Sequence, residues 1–313
     1  MKFAFVFPGQ GSQVVGMGQE LAAAFPVAAE VFETIDEALG EHLTKIMFEG
    51  PDEDLKLTEN AQPALMAVSL AVMSVLRDEG GFDLESEVMY VAGHSLGEYS
   101  ALAAAGTFSL SDTAKLLKTR GRAMQEAVPV GKGAMAAILG LDLDIASKIA
   151  DEAAQGEICA TANDNANGQV VISGTQSAVE RALLIAKDKG AKRGILLPVS
   201  APFHCALMAP AADVMAEALA LVRMKAPKVP LVANVTASEV AEAAEIRRLL
   251  VEQVTGMVRW RESVLFMRAN GVDQLIEIGS GKVLSGLTRR IDKNMTSQCI
   301  GTPEEIETFM KSL

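Results

Sequence analysis

The chain has 313 residues, half of them hydrophobic and 22% charged, enough apolar mass to bury a sizeable core in one large domain or a large domain with an insert. Its formal net charge of −12 argues against general nucleic-acid binding, although a small basic docking patch stays compatible with it. No stretch is long and apolar enough to span a bilayer, and the scattered Cys159, Cys205 and Cys299 read as reduced thiols, so a soluble cytoplasmic protein with no membrane partner is expected.

The chain opens on Phe3-Ala4-Phe5-Val6-Phe7, a short apolar run preceded by one positive side chain and ended by Pro8-Gly9. It reads as a first strand and not as a signal peptide. Helical patterns follow near 27–39 and 63–78, and then Val88-Met89-Tyr90-Val91-Ala92, apolar and short enough for a buried strand. That strand runs into Gly93-His94-Ser95-Leu96-Gly97, and residues 98–105 beyond it are rich in helix formers. A serine between two glycines on a strand-to-helix turn fits a nucleophile elbow. Side chains at Gly93 and Gly97 would collide across so tight a turn. The following helix would aim its free N–H groups at the serine, where a reacting carbonyl gains negative charge. An ordinary glycine-rich turn is the bland alternative. A further helix is expected near 111–127, capped by Ser109 or Ser111. Strands alternating with helices point to a parallel α/β sheet.

The middle of the chain reads differently. Ala134–Leu139 has a strand pattern, Asp142–Ala154 a helical one, and Ile158–Ala162 and Gln169–Ser173 are strands around an asparagine-rich turn, Asn163–Gly168. Thr175–Lys189 is helical and Arg193–Leu197 a strand again. The order β-α-β-β-α-β is that of a ferredoxin-like unit. Pro129 to Gly133 and Pro198 to Pro202 bound it. The expected architecture is α/β: a discontinuous large α/β-hydrolase-like domain with a mostly parallel sheet (1–128 and 199–313), carrying an inserted ferredoxin-like small domain (129–198). The chain resumes with helices near 207–222 and 245–254, a strand at Gln274–Ile278 and a last helix from near Lys282.

A serine nucleophile needs a base, and the chain has three histidines. His94 directly precedes Ser95, and neighbouring side chains diverge at such a turn. His42 lies in the charged segment Glu41–Lys45, expected to be exposed. His204 is the base by elimination, shortly after the strand ending at Leu197, because sites gather in the loops beyond strand ends. A satisfied loop histidine is the alternative. Cys205 beside it reads as packing, and the histidines have no metal-ligand spacing, so no metal site is implied. Gly279-Ser280-Gly281-Lys282 falls short of a phosphate loop: Val283 stands where Ser or Thr is required and Ile276 where the first glycine belongs. A tight turn into a helix is expected there. Lys115, Lys118, Arg120 and Arg122 crowd one segment; a solvated helix face is the usual meaning of such a run, and composition singles out none of them.

Taken in series, the motifs resemble the malonyl-CoA:acyl-carrier-protein transacylases of type II fatty-acid synthesis over essentially the whole chain. Phe7-Pro8-Gly9-Gln10-Gly11-Ser12-Gln13, Gln62-Pro63-Ala64-Leu65, Gly93-His94-Ser95-Leu96-Gly97-Glu98 and Arg120-Gly121 are similar to that family's motifs, in order. So are Asn163 to Gly174, Pro202-Phe203-His204-Cys205, Gln253 with Val258-Arg259-Trp260, and Gly281-Lys282-Val283-Leu284. One departure is Asn167, where proline is common in the family; it bears on the stiffness of the turn and not on the chemistry.

The resemblance implies roles. Ser95 is the nucleophile and His204 its base, Arg120 binds the malonyl carboxylate, and the backbone N–H groups of Gln10 and Leu96 form the oxyanion hole. Gln253 orients His204 through its backbone carbonyl, with no third carboxylate. Phe203, Asn163, His94 and Gln62 belong to the substrate pocket, and Phe203 and Leu96 point to malonyl over methylmalonyl. The substrates are malonyl-CoA and the phosphopantetheine thiol of a transient acyl carrier protein. No cofactor, no nucleic acid and a monomeric state are expected. The carrier is typically acidic in this family, so Lys187, Lys189, Lys192 and Arg193, or Arg289 and Arg290, are docking candidates by charge. A serine hydrolase and a non-catalytic carrier-binding module are the competing readings. The hydrolase has no reason for a carboxylate-binding arginine or the inserted unit, and the binding module has no need of Ser95 together with His204.

Overall fold

Ten strands divide between two sheets in the computed structural model, which describes residues 2–312. They are β1 (Phe3–Phe7), β2 (Val88–Gly93), β3 (Gly133–Leu139), β4 (Cys159–Ala166), β5 (Gln169–Thr175), β6 (Arg193–Leu196), β7 (Leu231–Ala233), β8 (Ser238–Val240), β9 (Gln274–Ile278) and β10 (Thr296–Ile300). The larger sheet runs β10-β9-β1-β2-β7-β8, parallel throughout except for the β7–β8 hairpin at one edge. The smaller sheet runs β4-β5-β3-β6 and is antiparallel throughout. The chain is thus an α/β protein with a mostly parallel sheet and a separate antiparallel one.

The central strand β1 is apolar at every position because both of its faces are covered. Phe3, Phe5 and Phe7 enter one core, packed against the long helix Thr58–Asp78 and its neighbours. Ala4 and Val6 enter the other, with Trp260, Leu284 and Leu287. This is the two-residue period of a strand carrying large side chains to one face and small ones to the other. Because β1, β2 and β7 are parallel, their carboxyl ends fall on one edge of the sheet. The loops that follow them deliver Gln10, Ser95 and Asn234 to that edge, the usual place for a site in an open α/β sheet.

The smaller sheet comes from one continuous stretch in the order β3, helix Leu143–Ala154, β4, β5, helix Gln176–Asp188, β6. Its two helices cover one face and enclose a core of its own, including Ile138, Ile149, Ile172 and Val179. From the other face Met135, Ala137 and Val171 join the core of the larger sheet. A polar latch ties β4 to the start of the helix Trp260–Ala269, which packs on the larger sheet. Val258 N–H donates to Ala162 O and Asp164 N–H to Val258 O, each at 2.9 Å. The buried Asp164 carboxylate accepts from Arg261 at 2.8–3.1 Å.

That latch explains the largest local difference from the sequence reading. The turn expected over Asn163–Gly168 shrinks to Asn167-Gly168, and β4 continues to Ala166. Asn163 and Asp164 have turn propensity, but here they pair with Val171 and Val170, and Asp164 finds its partners on another element. Pro63 lies in the second turn of the helix that begins at Thr58 and does not open it; having no N–H, it leaves the Glu59 carbonyl without its usual intrahelical donor. Ser109, rather than Ser111, caps the helix Leu110–Glu126, accepting from Asp112 N–H at 3.1 Å. The segment near 207–222 splits into a 3-10 turn, Ala206–Met208, and the helix Ala209–Leu221. Strands β7, β8 and β10 and the helices Trp260–Ala269 and Pro303–Met310 had no counterpart in the reading.

Removing one partner of a buried pair strands the other charge. Arg261→Met is expected to lower the unfolding free energy by about 3 kcal/mol, the low end for a buried pair because the arginine is a quarter exposed. Urea denaturation measures it, and a change below about 1 kcal/mol, the range of a surface pair, would contradict the latch.

Candidate active site

At the carboxyl end of β2 the chain turns through Ser95 and enters the helix Gly97–Ala104. Ser95 stands at φ 54°, left-handed backbone that non-glycine residues seldom adopt. The turn is tight enough that a Cβ on Gly93 would overlap the backbone of Gly97, and one on Gly97 the carbonyl of Phe7. Asn234, directly after β7, holds this conformation from below. Its Oδ1 accepts the Ser95 N–H at 2.8 Å and its Nδ2 donates to Gly93 O at 2.7 Å.

His204 meets the serine from the opposite wall. Its Nε2 lies 2.7 Å from Ser95 Oγ. Its Nδ1 faces two carbonyl oxygens, Gln253 O at 2.9 Å and Gly256 O at 3.1 Å. Carbonyls only accept, so the ring proton sits on Nδ1 and Nε2 carries the lone pair that faces the serine hydroxyl. His204 also has left-handed backbone, φ 57°. Two strained residues meeting at one hydrogen bond is the pattern of a site whose geometry the surrounding fold imposes. Burial, helped by the positive charge of Arg120, pushes the imidazole down to about 3 and leaves it neutral.

Arg120 is fully buried beside this pair. Its Nη2 donates to Ser95 Oγ at 3.2 Å and to Gln253 Oε1 at 2.9 Å, and its Nη1 to Gln62 Oε1 at 2.8 Å. Its Nε has no partner among the described residues, and burial depresses its ordinary pKa. The guanidinium therefore sits out of water with neutral hydrogen-bond partners only. Lys118, two residues earlier on the same helix, is instead satisfied by Glu41 at 2.6 Å and Asn60 at 2.9 Å. The basic run is thus no solvated face at these two positions.

A cavity of about 470 Å³ opens onto the serine. Gln10, Leu96 and Gln62 reach it from the larger sheet's side, and Asn163, Met135 and Leu197 from the smaller sheet. His94 and Phe203 also line it. The backbone N–H groups of Gln10 and Leu96 find no acceptor among the described residues. His94 does not share the serine's hydrogen bond: its Nε2 pairs with Asn165 Oδ1 at 2.9 Å and its ring packs 5.8 Å from that of Trp260. His42 is exposed at the start of the helix Leu43–Glu49, away from the cavity. Cys205 is buried with its thiol on Pro202 O, and burial raises it. At the would-be phosphate turn, the Glu277 carboxylate accepts from Leu284 N–H at 3.1 Å and Ser285 N–H at 2.7 Å. An internal anion already fills that helix N-terminus.

The chain matches the family described as acyl transferase domain over residues 4–300. It belongs to the acyl transferase family. Among its relatives, the malonyl CoA-acyl carrier protein transacylase of Escherichia coli strain K12 is 48% identical over 310 residues, 99% of each chain. The crystal structure of an acyl-carrier-protein-S-malonyltransferase from Bartonella henselae superposes with a TM-score of 0.97 at 56% identity, covering 100% of this chain and 99% of that one. A malonyl-transacylase solved in complex with a type II PKS acyl-carrier protein is 44% identical, with a TM-score of 0.96 and complete coverage of both chains.

Two members of the hydrogen-bond network around Ser95 carry roles that the sequence alone does not reveal. Asn234 carried a signal, a polar side chain immediately after a short apolar strand, but that strand was itself missed. Glu98 was visible only as the last letter of the serine motif. In the fold it is fully buried and accepts from Gln253 Nε2 at 2.9 Å and Asn234 N–H at 3.1 Å.

The neutral imidazole makes a pH prediction. A histidine held near 3 stays an acceptor well below the 6.5 of a free imidazole. Acylation of Ser95, followed in a rapid-quench burst from about pH 7 to about pH 5, is expected to show no acid limb centred near 6.5. A limb there would show a solvated base. The same depression means the unfolded chain takes up that proton first, so its contribution to stability is lost as pH falls from 6.5 toward 3.

Proposed function

We infer that the chain is a malonyl-CoA:acyl-carrier-protein transacylase, passing malonyl from coenzyme A to the phosphopantetheine thiol of a carrier protein through a malonyl ester on Ser95. The observation that carries the malonyl part is the buried Arg120 guanidinium, whose hydrogen-bond partners are all neutral, 3.2 Å from the serine oxygen. A carboxylate on the acyl chain meets it with charge-assisted hydrogen bonds, whereas an acetyl group leaves it unpaired.

In the first half-reaction Ser95 Oγ attacks the thioester carbonyl and its proton passes to His204 Nε2. The N–H groups of Gln10 and Leu96 receive the oxyanion, each worth about 2.7–4 kcal/mol in the barrier. The C–S bond breaks, and the departing sulfur takes the proton from His204. In the second half-reaction the carrier thiol gives its proton to His204 and its sulfur attacks the ester. The C–O bond breaks and Ser95 recovers its proton. The carbonyls of Gln253 and Gly256 hold the imidazolium that forms between these transfers. The acyl carboxylate also helps the base: by neutralising Arg120 it removes one of the causes that depress His204, of which burial is the largest. Thioesters are already activated, so the reaction calls for no cofactor.

The further assignments extend the same reading. Residues 129–198 form a ferredoxin-like unit inserted into an α/β-hydrolase-like unit, 1–128 and 199–313, and Phe203, Asn163, His94 and Gln62 shape the acyl pocket between them. The protein acts in the cytoplasm as a monomer and supplies malonyl for fatty-acid chain elongation. The acidic carrier docks by the Lys187, Lys189, Lys192 and Arg193 group. Arg193 opens β6, and the same stretch of chain lines the cavity at Leu197.

Incubation with labelled malonyl-CoA tests the reading. A stable acyl-enzyme that clears on addition of holo carrier protein is expected. Prompt release of free malonate would favour a hydrolase, and no labelling a binding module. Ser95→Ala is expected to abolish the label; label persisting on that variant would remove Ser95 as the nucleophile. Arg120→Ala is expected to lower malonyl transfer far more than acetyl transfer, toward the limit of about 3–5 kcal/mol for breaking a buried charge pair. Equal losses for the two acyl groups would make Arg120 a structural residue.

A further inference from the structure

Glu98 has no part in the steps above, yet it is 1% exposed and sits in the middle of the site's hydrogen bonds. The hydrogen-bond partners of Arg120 are all neutral, and one of them, Gln253, leads to this carboxylate. Arg120 Nη2 donates to Gln253 Oε1 at 2.9 Å, and Gln253 Nε2 donates to Glu98 Oε2 at 2.9 Å. Cation, amide and anion thus form a chain with one polarity. Turning the amide over would set its NH2 against the guanidinium and its oxygen against the carboxylate, so the two charges fix its direction. The direction matters, because the same Nε2 donates to Ser95 O at 2.9 Å, on a residue whose backbone carbonyl holds His204. Glu98 also accepts the Asn234 N–H, and Asn234 carries the Ser95 backbone. Its other oxygen, Oε1, has no partner among the described residues.

We propose that Glu98 is a positioning residue and the internal counter-charge of Arg120: it fixes the Gln253 amide, and its own charge sets how strongly Arg120 attracts the carboxylate of the acyl group. The proposal rests on the malonyl-transfer reading. An anion in the site weakens the pull on a second anion, so the ionisation of Glu98 opposes malonyl binding and leaves a neutral acyl group unaffected. The groups facing it are Arg120 from the helix Leu110–Glu126, Gln253 from the helix Ala243–Thr255, the Asn234 N–H after β7, and Tyr99 on its own helix. Burial raises Glu98 to about 7, within reach of assay conditions.

The test compares malonyl- and acetyl-pantetheine, which carry no titrating phosphate, as acyl donors to wild type and Glu98→Gln. An amide oxygen at the place of Oε2 keeps both accepted hydrogen bonds, so this variant removes the charge and places an NH2 where Oε1 has no partner among the described residues, a change that bears on both donors alike and cancels in their ratio. At about pH 8 the ratio of malonyl KM to acetyl KM is expected to fall by roughly five-fold or more in the variant. In wild type that ratio is expected to rise as pH goes from about 6 to about 8 and Glu98 ionises, and in the variant the rise disappears. Unchanged ratios, or parallel losses for both donors with the wild-type pH profile retained, would overturn the proposal and leave Glu98 a packing residue. Should the variant not fold, a flat wild-type ratio over the same pH range overturns it alone. Intact mass of wild type after malonyl-CoA is read first: no acyl adduct takes down the transfer reading and this proposal together, whereas an adduct with unchanged ratios takes down this proposal only.

Discussion

A guanidinium removed from water and given only neutral partners is the constraint around which the site is arranged. Burying Arg120 beside Ser95 is costly, and the fold offsets the cost with amide and hydroxyl oxygens rather than a direct carboxylate contact. A direct ion pair would satisfy the arginine and close it to a ligand. Gln62 and Gln253 solvate it while leaving a place for an incoming anion. The same charge adds to burial in depressing His204, so in the proposed reaction one residue couples substrate choice to the strength of the base.

The second constraint is steric. Ser95 and His204 both hold left-handed backbone, which costs of order 1–3 kcal/mol each and persists only where neighbours over-determine it. The neighbours are specific. Gly93 and Gly97 let the strand and helix close on each other, Asn234 occupies the Ser95 N–H, and two carbonyls occupy His204 Nδ1. Ser95, His204 and Arg120 come from three separate loops and helices, and Gln253 bonds to all three of them. The antiparallel sheet completes the cavity from the other side, held by the Asp164–Arg261 latch.

Much of this was legible because it is written locally. The elbow needs two glycines at fixed spacing, and a buried parallel strand needs an unbroken apolar run; both are visible in a heptapeptide. The order of the antiparallel unit followed from alternating patterns in the same way. What stayed hidden depends on distant contacts. Asn163 and Asp164 look like a turn until Val170, Val171 and Arg261 are placed beside them. Arg120 looks like one of four cations on a solvated helix until the helix is packed and only some of its faces meet water. The short strands β7 and β10 carry little pattern of their own, and losing β7 also hid Asn234.

The central claim is that the buried guanidinium is reserved for the carboxylate of an acyl group on Ser95. A crystal structure of the protein trapped with malonyl-CoA tests it most directly. The account predicts a malonyl ester on Ser95 Oγ whose free carboxylate takes both terminal nitrogens of Arg120, with the ester carbonyl oxygen at the N–H groups of Gln10 and Leu96. An ester whose carboxylate points to solvent or to Lys56 at the cavity wall, with Arg120 still bonded only to Gln62 and Gln253, would contradict it.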